Sequence, residues 1–534
     1  MRAARGAQWV AGAIVVALAA SACGGGGGDD YESFVRVSSG EPQNPLIPTD
    51  THEQYGGLVI QNLFAKLVDF TDEGELEYIA AESVEPNEDS TVWTIRLREG
   101  WTFHDGTDVT AQSYVDAWNW AANVTNEQTN APWFVDIAGY EDVHPDEEGA
   151  APTAETMSGL TAVDPLTIQV ELNAPLSYFD YKLGYEAFTP LPESFFEDPE
   201  AFGENPIGNG PYEFTEWTHN ERVVLTRYED YAGADAAQND GVVFQHYNGL
   251  DTAYQDLVAG NIDVMDEIGP QDLPVYQDDL GDRAVAQDYN GIQTIVPAWY
   301  NWGGRPDPRV LQGISLAIDR ETITRTVLHD SARPADSFAP NGVFGYQEGI
   351  GDEFTQYDPE RARDLVEAGG GVPNDHLMIQ YNADGPHQEW VEAVCGNIRE
   401  NLDIECTADV MTDFQADLNA RDANEVQSMY RGGWLQDYPL NVNFMRDLYQ
   451  SDAAANYGRF TNEEVDRLFA EGDAAPTLEE TVAAYQEAEE VLWQEMPAIP
   501  LWFQNVNGGF SERVENVRFT TNGQPVLTEI TVTG

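Results

Sequence analysis

The sequence predicts an α/β protein of more than one domain. Strand-like and helix-like patterns alternate along the whole chain instead of segregating into blocks. Apolar residues make up 42% of the composition, enough for extensive buried cores. The chain has 534 residues, and roughly 500 residues of folded body exceed what a single core usually supports, so two or more domains are expected. No internal repeat at solenoid spacing is present.

The amino terminus is set apart from this body. Arg2 and Arg5 precede an apolar stretch, Trp9 to Ala20, that is too short to span a bilayer. The small residues Ala20, Ser21 and Ala22 then lead into Cys23, a pattern that predicts a secretory signal over residues 1–22. A cysteine directly after small residues resembles a bacterial lipoprotein signal, which implies a lipid on Cys23. The alternative is an ordinary cleaved signal with an incidental cysteine. Gly24 to Gly28, followed by Asp29 and Asp30, would form a flexible tether over residues 23–30. No later segment has the apolar length of a membrane span.

Within the body, Trp93, Ile95 and Leu97 alternate with polar residues and predict a half-buried strand, as do Leu166, Ile168, Val170 and Leu172. Gln293 to Trp302 reads as a more fully buried strand. Asp307 with Pro308, and Asp358 with Pro359, pair a cap with a first-turn proline and predict helix starts. Gly369 is the expected stop of the second helix. Thr461 with Glu464, and Thr477 with Glu480, have capping-box spacing.

The formal charge is −69, and Lys66 and Lys182 are the only lysines. Such a surface repels nucleic acid and anionic lipid, so neither is an expected partner. Self-repulsion on this scale is tolerated where salt screens it, since the Debye length falls from ~10 Å at 0.1 M to ~3 Å at 1 M. A salt-rich habitat is therefore expected, with lineage bias towards acidic residues as the alternative. An unfolding temperature that rises between dilute buffer and molar salt is the predicted result; an unchanged one removes the salt argument.

Cys395 falls in a predicted helix and Cys406 in the strand after it. Outside the cytoplasm two such cysteines form a disulfide or contribute to a metal site. No nearby His or Cys cluster completes a four-ligand set, which favours the bridge. Phosphate-binding loops, G-x-S-x-G elbows and H-E-x-x-H helices are missing from the sequence, which lowers the prior for an enzyme.

Five segments, in order, carry a family resemblance: WTIRLREGWTFHDGTDVTAQSYVDAW (Trp93 to Trp118), NPIGNGPYEF (Asn205 to Phe214), YNWGGRPDPRVLQGISLAIDRETI (Tyr300 to Ile323), RGGWLQDYPLNVNF (Arg431 to Phe444) and PAIPLWF (Pro497 to Phe503). Together they resemble extracellular solute-binding family 5, the oligopeptide- and dipeptide-binding proteins of bacterial ABC importers. The resemblance implies a two-lobed, hinged-trap fold with an extra subdomain in the first lobe. Residues 31–290 and 505–534 would form that lobe and residues 291–504 the other.

The resemblance further implies a monomeric binding protein without catalytic activity or cofactor. It would be held on the outer face of the cell membrane, with a peptide ligand and the importer's membrane permease subunits as partners. Asp437 matches the family aspartate for the peptide amino terminus. Arg431, Gly433 and Trp434 fall on positions around the peptide. Arg421 and His387 fall on positions that meet peptide carboxyl termini, and Glu41 and Pro42 match a first-lobe loop beside the bound backbone. Pro439, Leu440 and Asn441 depart from the family pattern after Asp437 and Tyr438.

Each residue also has a structural alternative: Asp437 as a turn cap, the arginines as ion-pair partners, His387 at a helix start, Trp434 in the core. The same fold could carry a nickel complex, haem, glutathione or an oligosaccharide. A secreted hydrolase and a ligand-free signalling lipoprotein are the alternatives from other classes.

Overall fold

A computed structural model describes residues 31–533, apart from Glu148, Gly303 and Asp452. The predicted signal, Cys23 and the glycine tether lie outside the described residues. Among those described, no helix is long and apolar enough to cross a membrane.

Eleven strands form one continuous sheet. Two long antiparallel neighbours, Ala284–Pro297 and Ile499–Phe510, run through its middle and connect its halves. In one half Val35–Ser39 pairs in parallel with Gly241–His246. In the other, His376–Asn382 pairs in parallel with Glu405–Met411, and Met429–Leu435 pairs with the upper part of Ala284–Pro297. Between Asp288 and Ile292 the register of the two long strands shifts.

The strand expected over Gln293 to Trp302 begins earlier and ends at Pro297, followed by a 3-10 turn at Trp299–Asn301. Its first half, Ala284 to Tyr289, alternates with solvent and carries Gln287 and Asp288, whereas Asn290 to Ile295 are buried. Only the second half therefore has the continuous apolar signal of a buried strand.

A separate four-stranded antiparallel sheet runs in the order Ala81–Pro86, Val92–Leu97, Thr167–Glu171, Leu160–Asp164. Trp93, Ile95, Ile168 and Val170 are its buried face, as the period-two pattern predicts.

The helix starts follow the capping signals with one change. Asp307 and Asp358 accept from Arg309 N and Arg361 N, both at 3.0 Å, at the heads of Pro308–Leu316 and Pro359–Gly369. Thr477 accepts from Glu480 N at 3.3 Å. At Glu463–Asp473, however, the cap is Asn462, not Thr461, and it accepts from Glu464 N at 2.9 Å. Pro359–Gly369 stops one residue beyond the expected glycine: Gly370 takes the left-handed conformation, φ +97°.

Cys395 and Cys406 are joined in a disulfide with Cα atoms 5.0 Å apart, fastening helix Gln388–Leu402 to strand Glu405–Met411. Both cysteines are buried. Closing so short a loop restricts the unfolded chain, so replacing both by serine should cost about 2–3 kcal/mol in urea unfolding.

A buried polar network links the region of the small sheet to the second half of the large one. Arg446 Nε donates to Asp473 at 3.0 Å and its Nη2 lies 3.7 Å from Asp136. Lys182 also pairs with Asp136. The hydroxyls of Tyr178 and Tyr485 donate to Asp473 at 3.0 and 2.7 Å.

Candidate functional site

Strand Met429–Leu435 is covered on one side by Gly291–Pro297 along its whole length. On its other side, among the described residues, only Met429 and Tyr430 find a partner strand, through Ile379 and Gln380. The backbone edge from Arg431 to Leu435 is therefore without a paired strand. Gly433 and Leu435 are exposed there.

Asp437 stands at one end of this edge. Asn443 orients it: Asn443 Nδ2 donates to Asp437 Oδ2 at 2.8 Å, and Asp437 N donates to Asn443 Oδ1 at 2.9 Å. Trp434 Nε1 donates to the same oxygen at 3.3 Å, which ties the half-buried indole to the aspartate. Asp437 lines a cavity of about 360 Å³ with His52, Lys66, Glu186 and Tyr289. Burial pushes its pKa up to about 7; Asn443 opposes the shift, Asp447 and Glu186 add to it, and Lys182 opposes it. A carboxylate so placed is poised to receive a cation.

The other end carries the basic residues. Arg431 Nε donates to Asn382 Oδ1 at 2.9 Å, and its guanidinium lies 4.9 Å from the centre of the Phe414 ring. Burial, then Arg421, lowers its pKa to about 10, so it stays charged at neutral pH. Arg421 is itself buried and paired with Asp417. It stacks on Tyr430 and donates through Nη2 to Arg431 O at 2.9 Å, supporting the strand from behind.

His387 precedes helix Gln388–Leu402 and lines a second cavity of about 500 Å³. Its Nδ1 accepts from Trp390 Nε1 at 3.3 Å. Burial, then Arg431, pushes its pKa down to about 3, so it is neutral at pH 7.

The two cavities share Gln54, Tyr289, Leu435 and Asn522, and their walls come from both halves of the sheet. Asp437 thus lies at one end of a joined cleft and His387 at the other. Gly433, Trp434 and Arg421 line a third, more apolar cavity of about 280 Å³. Arg431, Glu41 and Pro42 line none of the three. Glu41 instead accepts from Asn220 N at 2.7 Å and contacts His219 and His246 at 2.8 and 2.5 Å, which anchors its loop.

Three acidic residues escaped sequence reading: Glu186, and the neighbours Asp266 and Glu267 on the larger cavity. No motif marks them in a chain with 94 acidic residues. No group of His, Cys, Asp and Glu among the described residues is arranged to hold a metal ion.

The family model for bacterial extracellular solute-binding proteins, family 5 Middle, matches residues 75–456. The periplasmic murein peptide-binding protein MppA of Escherichia coli is 29% identical over 464 residues, 84% of this chain and 83% of its own length. The oligopeptide-binding protein OppA of Bacillus subtilis is 23% identical over 502 residues, 90% of this chain and 89% of its own length. Among solved structures, OppA of Burkholderia pseudomallei matches with a TM-score of 0.78 at 20% identity, covering 95% of this chain and 100% of that one. The murein tripeptide-binding protein MppA of Escherichia coli matches at 0.76 and 24% identity, covering 93% and 98%. The shared architecture is the two-lobed α/β fold.

Proposed function

Because the chain belongs to the bacterial extracellular solute-binding proteins of family 5, we propose that it captures short peptides outside the cytoplasm and hands them to an ABC importer. One observation carries this reading: an unpaired strand edge, Arg431 to Leu435, ends in a half-buried aspartate on one side and an arginine on the other. Any peptide offers a backbone edge, an ammonium and a carboxylate, and these three features answer them in order. The peptide would add to the sheet antiparallel to the strand, with its amino end at Asp437. At ~3.4 Å per residue, a five-residue edge suits a peptide of about three to five residues.

In this reading the lobes comprise residues 31–290 with 505–534, and residues 291–504. They close by rotation where the ladder between the long strands breaks, at Asp288 to Ile292. Closure is favoured because the ligand then touches both walls. The protein acts as a monomer on the outer face of the membrane, held by a lipid on Cys23, with the permease subunits as partners. No cofactor or catalytic step is assigned to it.

Native mass spectrometry of the mature body, purified without refolding, tests the proposal. Co-purified masses matching short peptides are expected, and a single non-peptide mass would overturn the ligand assignment. Gly433 gives a local test. A Cβ there would lie 3.1 Å from Ile292 O, so Gly433→Val should cost about 1 kcal/mol of stability. The same valine crowds the docking edge and should weaken peptide binding at least about tenfold by titration calorimetry.

A further inference from the structure

Glu186 begins the short 3-10 turn Glu186–Phe188 and is 9% exposed. Among the described residues no other side chain hydrogen-bonds or ion-pairs directly with its carboxylate, and it lines the same cavity as Asp437. The two acids feel each other: Glu186 contributes to the upward shift of Asp437, and burial raises Glu186 itself. A buried carboxylate without a partner is expensive and calls for a counter-charge.

The cations of the chain supply it only in part. Lys182 and Arg446 are committed to Asp136 and Asp473, with Asp447 close by. Lys66 lines the cavity with Glu186 and draws its pKa down, but it is shared with Asp69 at 3.6 Å, leaving one lysine against Asp69, Glu186 and Asp437. No arginine lines either of the joined cavities, while Asp266, Glu267 and Glu389 line the larger one. A peptide ammonium satisfies one of the two carboxylates at the amino end and leaves the other unmatched.

We infer that Glu186 and Asp437 form a dicarboxylate subsite selecting peptides whose first residue carries a second positive charge, such as lysine, ornithine or arginine. The inference rests on the peptide reading above and adds a substrate class to it. Asp437 holds the α-ammonium, and Glu186 holds the side-chain cation. Tyr289 lines this cavity as well and adds an aromatic ring to its wall.

Calorimetric titration of the wild-type protein with Lys-Ala-Ala and with norleucine-Ala-Ala, its neutral near-isostere, tests this. The lysine peptide should bind at least about tenfold tighter. In Glu186→Gln the two affinities should converge, with the norleucine peptide unchanged. Equal affinities in the wild type, or a preference that survives in Glu186→Gln, would overturn the inference and leave peptide capture standing. Failure of both peptides to bind the wild type would overturn peptide capture itself, and this inference with it. The wild-type comparison needs no variant, so it stands even if Glu186→Gln folds poorly.

Discussion

Asp437→Asn should weaken binding of a short peptide by about 2–4 kcal/mol, roughly 30- to 1000-fold, in titration calorimetry at pH 7.5. Asparagine keeps the shape and the bonds to Asn443 but removes the charge that meets the ammonium. The same change should stabilise the empty protein. A carboxyl whose folded pKa is raised to about 7 binds its proton more tightly when folded than when unfolded. Its favourable contribution is therefore complete below the unfolded value and is lost as pH rises through about 7. Above that pH the wild type holds an uncompensated charge that the asparagine variant lacks, worth about 1–3 kcal/mol in unfolding experiments. Weaker binding with higher stability separates a binding residue from a structural cap, whose removal would lower both.

Binding should share this pH dependence. Asp437 faces Asp447, Glu186 and Lys182, and the ligand cation needs the aspartate ionised. Affinity should fall about tenfold per unit as pH drops below about 7 and level off above it. It should fall again where the peptide amine loses its proton, at ~7.7–8.0. A flat profile from pH 5 to 7.5 would remove Asp437 as the amine's partner.

Arg446→Met should be the most destabilising single substitution outside the hydrophobic core. It leaves Asp473 without a cation and Asp136 with Lys182 alone, both largely but not fully buried. Removing one partner of a buried pair typically costs 3–5 kcal/mol, and urea unfolding at pH 7 would read it directly. Burial works against the charge on Asp136, but Lys182 and Arg446 outweigh it and hold its pKa below the usual carboxylate value. That contribution is present above the unfolded pKa and lost as pH falls through the lowered one. The variant's deficit should therefore shrink in acid.

Much of this was legible in the sequence, for particular reasons. Strands with one buried face declared themselves by alternation, as at Trp93 to Leu97, and proline-headed helices by the Asp-Pro pairs. The long strand Ala284–Pro297 was half hidden because it leaves the core midway and its pattern changes there. Thr461 lost the cap to Asn462 because neighbouring residues compete for one position, and geometry decides between two side chains of similar propensity. The joined cleft brings together Asp437 and His387, 50 residues apart, through resemblance; nothing local in the chain marks either. Glu186 was invisible because its importance comes from burial beside Asp437, which no composition reveals in so acidic a chain.

The unpaired edge from Arg431 to Leu435 has one more consequence. Exposed strand edges usually invite whole proteins to stack on them and aggregate. This one opens at Leu435 on the joined cleft, whose walls come from both halves of the sheet, and on the proposed closure those walls would leave room for a single extended chain. The recess is a sieve that works on thickness before charge or sequence is consulted. On the proposed closure, folded proteins would be turned away and only loose chain ends would fit.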